Sequence, residues 1–265
     1  MRARTQASIA ISGDGEAWYL LGASPEIRAQ IESFPPLHPR APRDTPIAGI
    51  VLANGDLDHT LGLLSLRESQ PLQIHATAAV RRSFLEGNGL ARTLERIPGQ
   101  VVWNTVVPGT PADLAGLSLT AVAVPGKVPT HGEGRFAPSP EDNVGYLVRD
   151  AGSGRTLAWF PGVGGPTEAL SALSSADAIF FDGTFWTEDE LIRLGLGTKR
   201  ARDMAHWPAG GPSGSLAHLA GLRDARRLFI HVNNTNPLLR DDSAERGLAA
   251  AAGVEVAEDG LEILL

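Results

Sequence analysis

The chain of 265 residues contains no cysteine. That absence excludes a disulfide scaffold, a thiolate-ligated zinc or iron–sulfur site and a thiol nucleophile, so any metal must be held by histidine and carboxylate. A cationic surplus is missing as well. The 23 basic residues face 30 acidic ones, for a net charge of −7, and apart from Lys199-Arg200-Ala201-Arg202 they are scattered. Nucleic-acid binding rests on a dense cationic face, so nucleic acid is not an expected partner. No apolar run approaches the roughly 20 residues that span a bilayer. After Arg2 and Arg4, the stretch Ser8 to Ser12 is too short and too alternating for the apolar core of a signal peptide. The expectation is a cytoplasmic protein with no membrane partner.

What the chain does have is enough length and hydrophobic content, 43%, to bury a sizeable core. Ser8–Ser12 and Trp18–Leu21 flank Gly13-Asp14-Gly15, a hairpin signal because Asp-Gly tolerates positive φ. Ser24 followed by Pro25 predicts a helix start, the serine as cap and the proline where its missing N–H costs nothing. Pro35 through Pro46 reads as an ordered surface connection that excludes helix and central strand. Continuous apolar runs predict buried strands at Ile47–Leu52, Leu72–His75, Leu117–Val124, Asn143–Val148, Thr156–Phe160, Ala178–Phe181 and Leu228–Val232. Thr187-Glu188-Asp189-Glu190 before Leu191 predicts a capping box, Thr187 and Glu190 serving each other's end. Hairpins followed by strand–helix alternation in two halves predict an α/β architecture, two mixed sheets packed face to face with helices outside.

Chemistry concentrates where these strands end. Asn54-Gly55-Asp56-Leu57-Asp58-His59 follows a buried strand directly, the place where α/β proteins set ligands and catalysts. The simpler explanation is a polar turn in which Asp58 caps the next helix. A second junction is His231-Val232-Asn233-Asn234-Thr235-Asn236-Pro237, readable either as a turn or as a set of neutral hydrogen-bonding groups that orient a ligand. A third strand end carries Asp182-Gly183-Thr184, and His206 precedes the glycine-rich stretch from Gly210 to Gly214.

The pattern Asp-x-Asp-His-x-x-Gly-Leu after a strand resembles the metallo-β-lactamase signature His-x-His-x-Asp-His, with Asn54 and Asp56 in place of its first two histidines. The later histidine of that signature falls at Lys127, and the bridging aspartate at Val163. A resemblance covering nearly the whole chain runs through Arg4-Thr5-Gln6, Ala23 to Arg28, Leu37 to Arg40, Leu61 to Glu68, Phe181 to Trp186, Leu194 to Met204 and His231 to Pro237. In that order they are similar to the coenzyme PQQ synthesis protein B family. The resemblance implies one metallo-β-lactamase-like αββα domain over 1–265. Family members begin with a strand and a cysteine-rich zinc-binding segment, and Met1 stands almost on the Arg-Thr-Gln motif. A domain lacking that segment is therefore the expectation, with an exposed sheet edge that favours a homodimer.

The resemblance further implies a role in making pyrroloquinoline quinone (PQQ): iron-dependent hydroxylation, with O₂, of the tyrosine-derived ring of a cross-linked Glu–Tyr precursor. A carrier of PQQ or its precursor is the alternative, and a zinc hydrolase of the parent fold the third reading. Other PQQ-pathway proteins are potential partners. Asp58, His59 and His231 correspond to one of the fold's two metal sites, and two histidines plus one carboxylate suit a single Fe(II) with open positions. Asp56 is a candidate to orient a ligand or accept the phenol proton. Asp182 and His206 resemble the Glu and His relay of the ribonuclease Z branch and are candidates for proton transfer. A structural ion pair accounts for them equally well. A precursor rich in carboxylates calls for anchors, for which Asn54, Lys127, Lys199, Arg200 and Asn233 are the candidates.

Overall fold

The computed structural model describes residues 4–66 and 71–265. Met1 and Arg2, and Arg67 and Glu68 of one motif quoted above, lie outside the described residues. Strands β1 (Ile9–Ile11), β2 (Trp18–Leu21), β3 (Ile47–Val51), β4 (Leu72–Ala76) and β5 (Val101–Thr105) form a five-stranded sheet in that spatial order. Its β1–β2 pair is antiparallel and the others are parallel. The second sheet contains β6 (Pro111–Leu114), β7 (Leu117–Ala123), β8 (Val144–Asp150), β9 (Thr156–Phe160), β10 (Ala178–Asp182), β11 (Arg226–Ile230) and β12 (Val254–Val256), in spatial order from β12 back to β6. Its four strands β9 to β12 run parallel, and β6 to β9 pair antiparallel.

The continuous apolar strands are explained by a core on both faces of each sheet. Successive side chains of a strand point to opposite faces. Tyr19 and Leu21, Val51, Leu157 and Trp159, Ala178 and Phe180, and Leu228 and Ile230 meet between the sheets. Their neighbours Leu20 and Ile50 instead join Ile27 of α1 (Ile27–Ser33) and Val80 and Phe84 of α3 (Ala78–Gly87). On the far side, Phe160, Phe181 and Phe229 pack with Leu219 of α5 (Ser215–Ala220) and Ala249 of α6 (Ala244–Ala251). Two short helices, α2 (Leu57–Thr60) and α4 (Glu190–Arg193), follow β3 and β10. The result is the expected αββα layering. Among the described residues no helix is long and apolar enough to cross a membrane.

Several local expectations are corrected. Helix α1 begins at Ile27, and the Ser24 hydroxyl donates to Gln30 Oε1 at 3.0 Å rather than capping. The capping box at Thr187 does not form. Glu190 is buried, and its carboxylate accepts from the Trp186 N–H (2.8 Å) and the Thr235 hydroxyl (2.6 Å). Pro35–Leu37 forms one turn of 3₁₀ helix, which tolerates proline at its first positions. The predicted last strand ends two residues earlier, at Ile230, so His231 leaves the sheet with φ +59°.

The ends of β3, β10 and β11 lie at one mouth, and the two sheets are joined there. Asn54 bridges Asn143 antiparallel, and Val144 N–H donates to the Ala53 carbonyl at 2.9 Å. One layer deeper, the buried Tyr146 hydroxyl donates to the Leu52 carbonyl at 2.8 Å. Burial also pushes that phenol's pKa up.

Candidate metal centre

Helix α2 carries the first ligand-type side chains. Its N-cap position is Asp56, whose carboxylate makes no cap bond but accepts from Thr130 N–H at 3.1 Å, tying the 127–132 loop to the mouth. Asp58 sits in the first turn and is not the cap. Its Oδ2 lies 2.7 Å from His231 Nε2 and 3.7 Å from His59 Nε2. His59 is 2% exposed, and neither of its ring nitrogens has a hydrogen-bond partner. Its ring is held by stacking on His231, centroids 5.0 Å apart, and by the edge contact with Trp159 at 6.3 Å.

The second half of the cluster hangs from β10. Asp182 is fully buried, and four donors converge on it: Val163 N–H (3.0 Å) and His206 Nδ1 (2.7 Å) on Oδ2, Thr184 N–H (3.0 Å) and the Thr184 hydroxyl (2.6 Å) on Oδ1. The same hydroxyl is 2.7 Å from His231 Nδ1. Donor atoms of Asp58, His59 and His231 lie within 4.8 Å of one another, and so do those of Asp182, His206 and His231. Only the first trio suits a cation. The Asp182 oxygens are already saturated by donors, whereas the buried, unpartnered His59 nitrogen calls for a Lewis acid.

Electrostatics agrees. Burial would raise the Asp58 and Asp182 carboxyls, but the histidines beside each outweigh it and hold both well below the usual range. Burial would likewise lower His231, and the Asp182 and Asp58 carboxylates on its two sides instead raise it to about 10. His59 is lowered by burial, against the opposing charge of Asp58. A proton on His231 Nε2 thus bridges to Asp58 where a metal would bind, and metal and proton compete for that atom.

Asn54 is buried beside the mouth and its Oδ1 accepts from Asp56 N–H. Lys127 Nζ is engaged within its own loop by Thr130 and Glu133. The Asn233 side chain donates to Thr235 Oγ1 and accepts from Asn234 N–H, also within its loop. Lys199 and Arg200 are exposed on the connection after α4, and Arg200 N–H donates to Asp203. Two residues that sequence reasoning did not single out support the cluster. Thr184 joins Asp182 to His231, and the buried Asn236 side chain donates to the Gly183 and Thr184 carbonyls. The hint was present in a hydroxyl two residues beyond a strand-end aspartate.

Residues 17–232 match the family described as "Beta-lactamase superfamily domain". The chain is 43% identical over 270 residues to a protein from Methylococcus capsulatus named "Coenzyme PQQ synthesis protein B", covering all of this chain and 89% of the relative. Identity to the protein of the same name from Pseudomonas savastanoi pv. phaseolicola is also 43%, with the same coverage. Among solved structures, zinc-bound PqqB from Methylobacterium extorquens superposes with a TM-score of 0.91 at 42% identity, covering all of this chain and 89% of that one. Human tRNase Z short form, at 15% identity and a TM-score of 0.60 over 97% of this chain and 91% of that one, shares the fold.

Proposed function

The chain belongs to the coenzyme PQQ synthesis protein B family of the beta-lactamase superfamily, and from that premise we propose that it serves PQQ synthesis as an iron-dependent hydroxylase. The substrate is the tyrosine-derived ring of the cross-linked Glu–Tyr precursor. One atom of O₂ enters a ring C–H bond and the other leaves as water, with two electrons from an external reductant. The protein would act in the cytoplasm.

The observation that carries this reading is the buried His59, with both ring nitrogens unpartnered, beside Asp58 and His231. These three residues would hold one ion. When bound, iron with open positions would supply the activation of O₂ beside the ring. The second ion that two-metal hydrolysis requires finds poor donors. Val163 is buried hydrocarbon whose N–H serves Asp182, and Lys127 is tied to Thr130 and Glu133.

Proton handling falls to His206. Its Nδ1–H donates to the Asp182 carboxylate, which leaves Nε2 an acceptor able to take the phenol proton. Asp182 has no free lone pair and acts by orienting His206. Asp56 uses Oδ1 on Thr130 and keeps the other oxygen for the same task. Lys199 and Arg200 have exposed side chains that can meet the precursor's carboxylates.

The test is turnover of a hydroxyphenyl precursor by the Fe(II)-loaded chain with ascorbate under ¹⁸O₂, with labelled oxygen expected in the ring. Tight binding without turnover would favour the carrier reading. Zinc in the Methylobacterium extorquens structure is the one observation that favours a zinc hydrolase, and turnover of phosphodiesters or lactones by the zinc-loaded chain would establish it.

A further inference from the structure

We propose that the Thr184 hydroxyl is the positioning group that presents His231 Nε2 to the metal, linking the Asp182 charge to the imidazole. The proposal rests on Asp58, His59 and His231 being the ligands.

Thr184 Oγ1 carries one proton and has three neighbours: Asp182 Oδ1 at 2.6 Å, His231 Nδ1 at 2.7 Å and the His231 carbonyl at 2.9 Å. A carboxylate only accepts, and a charged acceptor takes a hydroxyl proton in preference to a neutral one. The hydroxyl therefore donates to Asp182, and its lone pair accepts from His231 Nδ1–H. A neutral imidazole protonated at Nδ1 has its lone pair on Nε2, the nitrogen that faces Asp58. The opposite tautomer would aim an N–H at the ion.

Asp182 cannot do this alone, because its Oδ1 is 3.9 Å from His231 Nδ1, beyond hydrogen-bond reach. Thr184 is itself clamped. Its N–H bonds Asp182, and its carbonyl accepts from Asn233 N–H at 3.2 Å and from Asn236 Nδ2 at 3.3 Å. His231, for its part, holds a left-handed backbone, φ +59°, a conformation unfavourable for a non-glycine residue. That conformation turns the ring back toward Thr184 as the chain leaves β11. The arrangement is the carboxylate–histidine–metal relay with a hydroxyl inserted.

The experiment is a zinc titration of the metal-free chain against a competing chelator, in the parent, Thr184→Val and Thr184→Ser. The valine variant keeps the shape and removes the hydroxyl, and should bind zinc about 10–100-fold more weakly while its circular dichroism stays native. The serine variant should restore parental affinity. In parallel, long-range ¹H–¹⁵N correlation on the zinc-loaded parent should show His231 protonated at Nδ1, a readout independent of whether the valine variant folds. Parental affinity in the valine variant, failure of serine to rescue, or protonation at Nε2 would each overturn the proposal. A parent that binds no zinc at these residues would overturn the ligand assignment, and the proposal with it.

Discussion

His231 stands between two carboxylates that act on it differently. Asp58 faces Nε2 and shares that nitrogen's cation, whether proton or metal, while Asp182 acts from the other side through Thr184. Asp182→Asn would place an amide NH₂ against two of the four donors that now converge on the carboxylate, since each oxygen accepts from two of them. Breaking a buried charge pair of this kind costs about 3–5 kcal/mol, and urea unfolding of the metal-free variant should register a loss of that order. A loss under about 1 kcal/mol, the range of exposed pairs, would mean that Asp182 is not ionised in the folded chain. At this scale much of the cluster was legible, because polar residues follow apolar runs there: Asp182 ends β10, His231 directly follows β11, and Asp58 and His59 lie on the short helix after β3. Thr184 was not, since its role depends on a histidine 47 positions further on.

Among the elements, α2 matters most because it carries Asp58 and His59 on a single turn. Its placement depends on Gly62. There a Cβ would lie 2.2 Å from the Ser24 carbonyl oxygen and 2.8 Å from that of Ala23, backbone atoms that cannot swing aside, and Gly62 N–H donates to the Ala23 carbonyl at 2.9 Å. Gly62→Ala should cost about 1–3 kcal/mol by thermal unfolding and, by displacing α2, weaken metal binding with every ligand still present. Undiminished affinity in that variant would mean that α2 is not held by this contact. The buried strands were readable because Ile47–Val51, Thr156–Phe160 and Ala178–Asp182 are apolar on both faces. Strands β5, β6 and β12 were not. All three are edge strands, with exposed residues that break the apolar run. The capping box at Thr187 misled because Glu190 is claimed by Trp186 N–H and Thr235, a tertiary demand that local pattern does not contain.

For the whole molecule, the two sheets form one inter-sheet core with helices outside, and acidification should weaken it through histidines buried without partners. His75 is 9% exposed, its Nδ1 has no hydrogen-bond partner, and burial lowers its pKa from the ordinary 6.5. The unfolded chain then binds more protons at that residue than the folded one. Its contribution to stability is therefore fully present above pH 6.5 and is lost as pH falls below it toward the lowered value. Melting temperature measured from pH 7.5 down to 5 should fall, and His75→Gln should flatten that slope; an equal slope in the variant would place the acid sensitivity elsewhere. The fold class was legible from strand and helix alternation, whereas the meeting of three strand ends at one mouth depends on the parallel register of β10 with β11 and on the Asn54–Asn143 bridge.

That mouth is where a single ion is proposed to sit, on Asp58, His59 and His231. Anaerobic Fe(II) titration of the metal-free chain, beside its His59→Ala variant, tests it most directly. One equivalent bound by the parent and lost in the variant is the predicted result. Two equivalents in the parent, or unchanged stoichiometry in the variant, would contradict it.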